Sequence, residues 1–280
     1  MPEPVREAVA ARPSGPLRAV VAEHHAYRQR DVPPARHLGL PSPWLTVILT
    51  LDEPLRVTRH PDPGQAPGDF RALVGGLHTT PAVIEHDGAQ SGIQLQLSPL
   101  GARALFGVPA GELAGLDVDA AELLGKLGTD LQEQLQDAAT WGERFRLLDD
   151  GLGGRLDPDR LPPPEVRRAW QLLRASGGTA HVADVARAVG WSERHLAARF
   201  RVEIGLTPKV AARVIRFDRA RRLIPGRPGA DVAAACGYAD QAHLVREFVD
   251  FTGLAPRAWL AAEVGNLQSA TDDEGRDWAS

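Results

Sequence analysis

The pattern of apolar and polar positions changes character near residue 98. From Leu17 to Ser98, short apolar segments, several of them alternating with polar residues, are separated by clusters of Pro, Gly and Asp, which is typical of strands and turns. The segment "GIQLQLS" alternates with a period of two, as a half-buried strand does. In "EHDGAQSG", the pair Asp87-Gly88 favours a hairpin turn between two strands. This region therefore predicts a small sandwich or partly open barrel.

After Ser98 the spacing of apolar residues is helical. Ser98 and Pro99 fit the N-cap and first position of a helix, and Leu131 and Leu135 are spaced as on one helix face. Helices within 99–153 are expected to cover the sheet or to pair with a second subunit. The predicted fold class is α+β, with a β-rich N-terminal domain, its accessory helices, and an all-α C-terminal domain.

The predicted boundaries follow these changes in composition. They are a disordered arm at 1–16, the β-rich domain at 17–155, a linker at 156–164, the helical domain at 165–262 and a disordered acidic tail at 266–280. Because the linker is rich in proline, it is expected to resist helix formation and to keep the two domains apart.

Two stretches of the C-terminal half repeat each other: "VADVARAVGWSERHLAARFRVEIGLTP" and "GADVAAACGYADQAHLVREFVDFTGLAP". In each copy a short helix ends at a glycine, Gly190 or Gly237, which fits the left-handed turn that closes a helix. An aromatic residue and a second helix follow. This order predicts two helix-turn-helix units, joined by a long helix at about 208–224.

Helical spacing gives the second helix of each unit, at about 192–203 and 240–251, an inward and an outward face. Outward side chains of a recognition helix contact base edges in the major groove, where arginine suits guanine and glutamine suits adenine. The residues expected to face DNA are Glu193, Arg194, Ala198, Arg201, Gln241, Ala242 and Arg246. Lys209, Arg213 and Arg216 are expected to contact phosphate. A solvated surface is the alternative for any single one of them, and His195 and His243 are expected to pack in the turns or to face phosphate.

The charge distribution supports a polyanionic partner. Residues 1–160 carry 15 Lys or Arg and 22 Asp or Glu, whereas residues 161–265 carry 16 and 10. A basic domain beside an acidic one is expected where one part meets nucleic acid. An unevenly charged, solvated surface is the alternative explanation of the same counts.

The C-terminal half resembles the DNA-binding domain of the AraC/XylS family of bacterial transcription regulators. The resemblance covers about Pro164–Leu260 and includes "VADVARAVGWSERHLAARF", "RFDRARRLI" and "VAAACGYADQAHLVREFVDFTGLAPRAWL". It implies double-stranded promoter or operator DNA as partner, and a cupin-like N-terminal domain that senses a small molecule or forms a homodimer. RNA polymerase is a further partner if the protein is an activator. Two departures are the small residues Ala198 and Ala242, and the acidic Asp240 and Glu247, which would repel phosphate if they faced it.

Other functional classes find little support in the sequence. The lone Cys236 excludes an internal disulfide framework and a cysteine-rich zinc site, and His60, His78, Glu85 and His86 lack the close spacing of a metal motif. No phosphate-binding glycine loop or nucleophile elbow is present. We therefore predict no catalytic residues, metal or cofactor, no membrane partner and a cytoplasmic location. A cupin-type enzyme or a structural adaptor with an appended DNA-binding domain remains the alternative, and ligand-binding residues are not predicted.

Overall fold

The computed structural model describes residues 4–263, and the acidic tail predicted at 266–280 lies outside them. The strands of the described chain are β1 (Val5–Ala11), β2 (Val21–Arg30), β3 (Ala35–Gly39), β4 (Leu45–Thr50), β5 (Leu55–Arg59), β6 (Gly68–Phe70), β7 (Ala72–Gly75), β8 (Ala82–His86), β9 (Gln90–Leu97) and β10 (Asp117–Asp119). They form two antiparallel sheets, ordered β1-β2-β9-β4-β7-β10 and β3-β8-β5-β6.

The helices of the described chain are α1 (Ala102–Phe106), α2 (Ala120–Leu124), α3 (Lys126–Asp137), α4 (Trp141–Arg155), α5 (Pro164–Ala175), α6 (Val182–Ala188), α7 (Glu193–Ile204), α8 (Pro208–Leu223), α9 (Gly229–Cys236), α10 (Gln241–Thr252) and α11 (Pro256–Ala262). All of these helices except α1 follow the last strand, β10, and the chain has the α+β composition that was predicted. Ser98 accepts a hydrogen bond from the backbone of Leu100, which confirms it as a cap. None of the helices between residues 4 and 263 combines the length and the apolar character that crossing a bilayer requires.

The expectation of a disordered arm is wrong for residues 5–11. They form strand β1 at the edge of the larger sheet, paired with β2 from Val5 opposite Arg30 to Ala11 opposite His24. Nearly all side chains of β1 are exposed, so its sequence shows no alternation between a buried and a solvated face. Backbone hydrogen bonds to β2 fix the strand instead, and such bonds leave no trace in a hydropathy pattern.

The predicted hairpin around Asp87-Gly88 is also wrong. Strand β8 pairs with β3 and β5, whereas β9 pairs with β2 and β4, so the connection crosses from one sheet to the other. Gly88 does adopt a positive φ of 105°. A turn signal marks a change of chain direction, but it does not identify which strands pair.

The two faces of the larger sheet have different partners. On one face Val47, Leu49, Ile93 and Leu95 share a buried cluster with the helices. On the other face Ile48 and Leu73 pack with apolar residues of the smaller sheet. The alternation of β4 and β9 thus serves a three-layer arrangement of helices, large sheet and small sheet.

The linker does not keep the domains apart. It contains no α-helix, only the 3₁₀ turn Pro158–Arg160, but the buried cluster of the N-terminal domain continues through Trp170 of α5 into Phe200 of α7. Nε and Nη2 of Arg103 donate to the Glu203 carboxylate at 3.3 and 3.0 Å. The proline-rich composition predicted local conformation correctly, but long-range packing decides whether two domains touch.

The close contact between Gly111 and α7 provides a test of this packing. A Cβ at Gly111 would lie 2.2 Å from the carbonyl oxygen of Val202, far inside van der Waals contact. Gly111 lies in the 3₁₀ turn Ala110–Leu113. Gly111→Ala should therefore separate this turn from α7, lower the free energy of unfolding in urea by ~1–3 kcal/mol and speed tryptic cleavage after Arg160. In Gly142→Ala, where the new methyl meets nothing within 4 Å, neither quantity should worsen. Equal behaviour of both variants would contradict a packed domain interface.

A buried histidine gives the N-terminal domain a pH dependence. Nε2 of His24 lies 2.7 Å from Asp149, which also accepts hydrogen bonds from the backbone and hydroxyl of Ser14. Burial outweighs this carboxylate and lowers the pKa of His24 below its ordinary 6.5. The folded protein therefore binds this proton less readily than the unfolded chain does.

We expect the free energy of unfolding to be largest above about pH 6.5, the pKa of an unperturbed histidine, and to decrease as the pH falls below it. Urea titrations between pH 5 and 7.5 measure this slope. His24→Gln should flatten it, although other histidines also contribute. An unchanged slope in the variant would exclude His24 as its source.

Candidate nucleic-acid interface

The structure contains two matched helix-turn-helix units, α6–α7 and α9–α10. The second helix of each begins and ends within one residue of the predicted span. Gly190 and Gly237 have φ values of 73° and 74°, which confirms the left-handed turn expected from sequence. Ser192 and Asp240 cap the second helices by accepting hydrogen bonds from the backbone N–H of His195 and His243.

The aromatic residues after the glycines fix the two turns in the same way. The ring of Trp191 meets that of His195 edge to face at 4.6 Å, and Tyr238 meets His243 at 5.2 Å. This confirms the turn-packing role of both histidines. The repeat therefore preserves an aromatic–histidine contact as well as the helices.

All seven residues predicted to face DNA lie on the exposed side of their helices. Leu196, Phe200, Leu244 and Phe248 are buried as expected. The exposed set is Glu193, Arg194, Ala198, Arg201, Gln241, Ala242 and Arg246. The structure thus places them where base contacts are geometrically available, and the contacts themselves stay predictions.

Glu247 does not face outward, so it cannot repel phosphate. Its carboxylate is only 4% exposed and lies 2.8 Å from Arg213 and 3.2 Å from Arg216. The hydroxyl of Tyr238 donates to the same carboxylate at 2.9 Å. Burial, followed by the nearby negative charge, raises the pKa of Tyr238, so the hydroxyl stays protonated and remains a donor. Asp240, the other acidic residue, is the N-cap of α10.

This cluster gives Arg213 and Arg216 a bracing role that sequence reasoning did not assign. They link α8, the connecting helix, to α10, and Arg216 also lies over the Tyr238 ring at 5.1 Å. Arg213 is about one-third exposed and Arg216 about one-sixth, so their predicted phosphate contacts compete with these internal bonds and stay predictions. Lys209, the third predicted phosphate contact, is exposed near the start of α8.

The histidines of the N-terminal domain do not assemble a metal site. His60 lies 2.7 Å from Asp117, but across residues 4–263 no three His, Cys, Asp or Glu side chains are grouped so as to hold a metal ion. Cys236 is buried, and burial raises its pKa, which disfavours the reactive thiolate.

Comparison with known proteins locates the family relationship in the C-terminal half. A family model described as a helix-turn-helix domain, of the AraC type, matches residues 165–262. The C-terminal domain is an AraC-type helix-turn-helix domain. No match was found among curated proteins.

Solved structures place the AraC-type domain in the context of the whole chain. ToxT from Vibrio cholerae is 10% identical with a TM-score of 0.51, and the match covers 85% of this chain and 97% of that one. It therefore shares the overall fold. An AraC-type DNA-binding domain protein from Chromobacterium violaceum is 24% identical with a TM-score of 0.34, and the match covers 37% of this chain and 95% of that one. The C-terminal domain of AraT from Geobacillus stearothermophilus is 25% identical with a TM-score of 0.33, covering 35% and 84%.

Removing the buried carboxylate should loosen the AraC-type domain. Glu247→Ala leaves two guanidinium groups and a buried hydroxyl without their acceptor, so we expect the free energy of unfolding to fall by ~2–4 kcal/mol. Asp250→Ala is the matched control: it removes the exposed carboxylate that also binds Arg213 at 3.1 Å, and it should cost less than ~1 kcal/mol. Urea unfolding followed by circular dichroism measures both. Similar losses of unfolding free energy in the two variants would contradict a larger contribution from the buried carboxylate of Glu247.

Proposed function

We propose that this protein is a cytoplasmic, sequence-specific transcriptional regulator that reads operator DNA with α7 and α10. The observation that carries the proposal is the pair of matched recognition helices, each with its apolar face buried and its predicted DNA-facing residues exposed. A single recognition helix contacts only a few base pairs, so two recognition helices in one chain, called the two readers below, lengthen the recognised sequence. Homodimer formation and contact with RNA polymerase stay predictions.

The bracing of α10 by α8 supports this function physically. Two readers select one site cooperatively only if their separation is fixed, because a flexible connection would cost entropy on binding. The Glu247 cluster ties α10 to α8, and α8 packs on α7 through the shared apolar core. The two readers are thus parts of one scaffold.

Arginine variants test the DNA contacts. Arg194→Ala on α7 and Arg246→Ala on α10 should each weaken binding to a selected operator by about 1–3 kcal/mol, because each removes donors aimed at base edges. Arg36→Ala, an exposed arginine of strand β3, is the charge-matched control and should have little effect. Binding is measured by fluorescence anisotropy at one fixed salt concentration, since affinity depends steeply on salt. Full affinity in both Arg194→Ala and Arg246→Ala would contradict the assignment of these two arginines as DNA contacts.

We further propose that the cavity between the two sheets binds a small-molecule effector. Its volume is about 120 Å³, which suits a molecule about the size of one aromatic ring. The larger sheet contributes polar side chains, Thr46, Gln94 and Gln96, and the smaller sheet contributes apolar ones such as Val57 and Ile84. The polar face of β9 therefore points into the protein rather than into solvent.

The polar groups of this cavity favour an uncharged ligand. Between residues 4 and 263, the side chains of Thr46, Gln94 and Gln96 make no hydrogen bond, so they are open to a ligand. Each charged residue lining the cavity already has a partner. Asp117 pairs with His60 at 2.7 Å, Arg221 pairs with Asp218 at 2.8 Å, and Glu263 accepts from the Leu38 backbone at 3.2 Å.

The position of the cavity links it to the second DNA-reading unit. Arg221 belongs to α8 and Glu263 follows α11, yet both line a cavity of the N-terminal domain. Leu38 and Leu40 also line the cavity, and they pack against the buried cluster that contains Phe248 of α10. An effector that displaces these contacts would change how α10 is held, which is the differential interaction that a ligand-controlled switch needs.

A matched set of probes tests the effector proposal. Benzamide should raise the melting temperature of the protein more than benzoate or benzamidinium does, because the cavity offers hydrogen bonds but no unpaired charge. Ala82→Leu, which fills the cavity, should abolish this shift, whereas Ala35→Leu at the exposed end of strand β3 should not. Stabilisation that persists in the filled variant would place the binding site elsewhere, and a preference for benzoate would contradict the proposed chemistry.

A further inference from the structure

The two recognition helices are aligned residue by residue by their caps. Ser192 and Asp240 each accept a hydrogen bond from the backbone N–H three residues later, so positions at equal distance from the cap are equivalent. Helical spacing places four such positions on the outward arc of each helix. They are Arg194, Ala197, Ala198 and Arg201 on α7, and Ala242, Val245, Arg246 and Val249 on α10.

The chemistry of the arc differs at the equivalent positions. Where α7 has Arg194 and Arg201, α10 has Ala242 and Val249. With Val245 between them, α10 presents small apolar side chains at i, i+3 and i+7, which lie on one helix face. Val249 is 40% exposed, and Val245 and Val249 line a shallow groove whose other lining residues are polar or charged: Arg213, His243, Arg246, Glu247 and Asp250. The second reader thus has an apolar strip where the first has two cationic donors.

Base edges in the major groove differ in a matching way. Guanine presents two acceptors that an arginine fork contacts together, whereas thymine presents a methyl group that apolar side chains contact. We propose, on the basis of the proposed function, that α7 reads guanine through Arg194 and that α10 reads thymine methyl groups through Ala242, Val245 and Val249. The operator is then chemically asymmetric, with a methyl-dependent half-site for the second reader.

Base analogues test this assignment without changing base pairing. Operators are selected from a random duplex library with the full-length protein, and Arg194→Ala identifies the half-site of α7 by the positions whose selection it weakens. Thymines of the other half-site are then replaced one at a time by uracil, which lacks only the methyl group. At one or two positions we expect affinity to fall about fourfold, the equivalent of one buried methyl group.

Protein variants connect the effect to the helix. In Val245→Ala/Val249→Ala, the uracil penalty should shrink to less than about twofold, because the apolar partners of the methyl groups are gone. Val202→Ala removes a more exposed valine of α7 (51% exposed) that lies off its outward arc, and it should leave the penalty unchanged. In the half-site of α7, replacing guanine with 7-deazaguanine should weaken the binding of the wild-type protein but not the binding of Arg194→Ala.

Each result has a defined meaning. Selected operators in which uracil is tolerated throughout the second half-site would overturn the asymmetry while leaving the proposed function intact. A uracil penalty that the double valine variant retains in full would assign methyl recognition to other residues and so overturn the inference. Failure to select any sequence would contradict the proposed function, and the half-site assignment with it.

Discussion

The geometry of the DNA-reading surface depends on one buried negative charge. Glu247 sits on a recognition helix, yet its carboxylate points inward to two arginines of the connecting helix and to the hydroxyl of Tyr238. Burying a carboxylate alone is costly, and partners on three sides offset that cost. Because hydrogen bonds to charged groups are directional, the cluster fixes the rotation of α10 about its axis. That rotation decides which side chains face the groove.

A second constraint comes from the inverted polarity of the larger sheet. Its apolar face lies under the helices, so the polar face is enclosed by the smaller sheet. Thr46, Gln94 and Gln96 therefore line the cavity between the sheets, where they are half-buried. Polar side chains that converge on a cavity and make no hydrogen bond within residues 4–263 offer donors and acceptors to a ligand, which is the physical reason to propose one there.

Local features of this fold were predictable from sequence, and long-range ones were not. The turns at Gly190 and Gly237 and the buried faces of α7 and α10 follow from spacing within a few residues. The inward orientation of Glu247 was not predicted, because its arginine partners lie 31 and 34 residues away. The crossing between sheets after β8 and the pairing of β1 were missed for the same reason: strand partners are chosen by tertiary packing. The outward-facing residues of α7 and α10 were predictable in part. The helical period gives the direction in which they point, but it does not give the groups that they contact.

The two reading units are built into the molecule to different depths. Leu196 and Phe200 of the first belong to the large apolar cluster that begins in the β-domain, whereas Leu244 and Phe248 of the second belong to two smaller clusters shared with α8. A unit held by smaller clusters can open locally at a lower cost than global unfolding, because fewer buried contacts are lost. Local opening of α9–α11 would leave α7 packed against the β-domain, but it would also separate Leu38 and Leu40 of β3 and its loop from the cluster of Phe248.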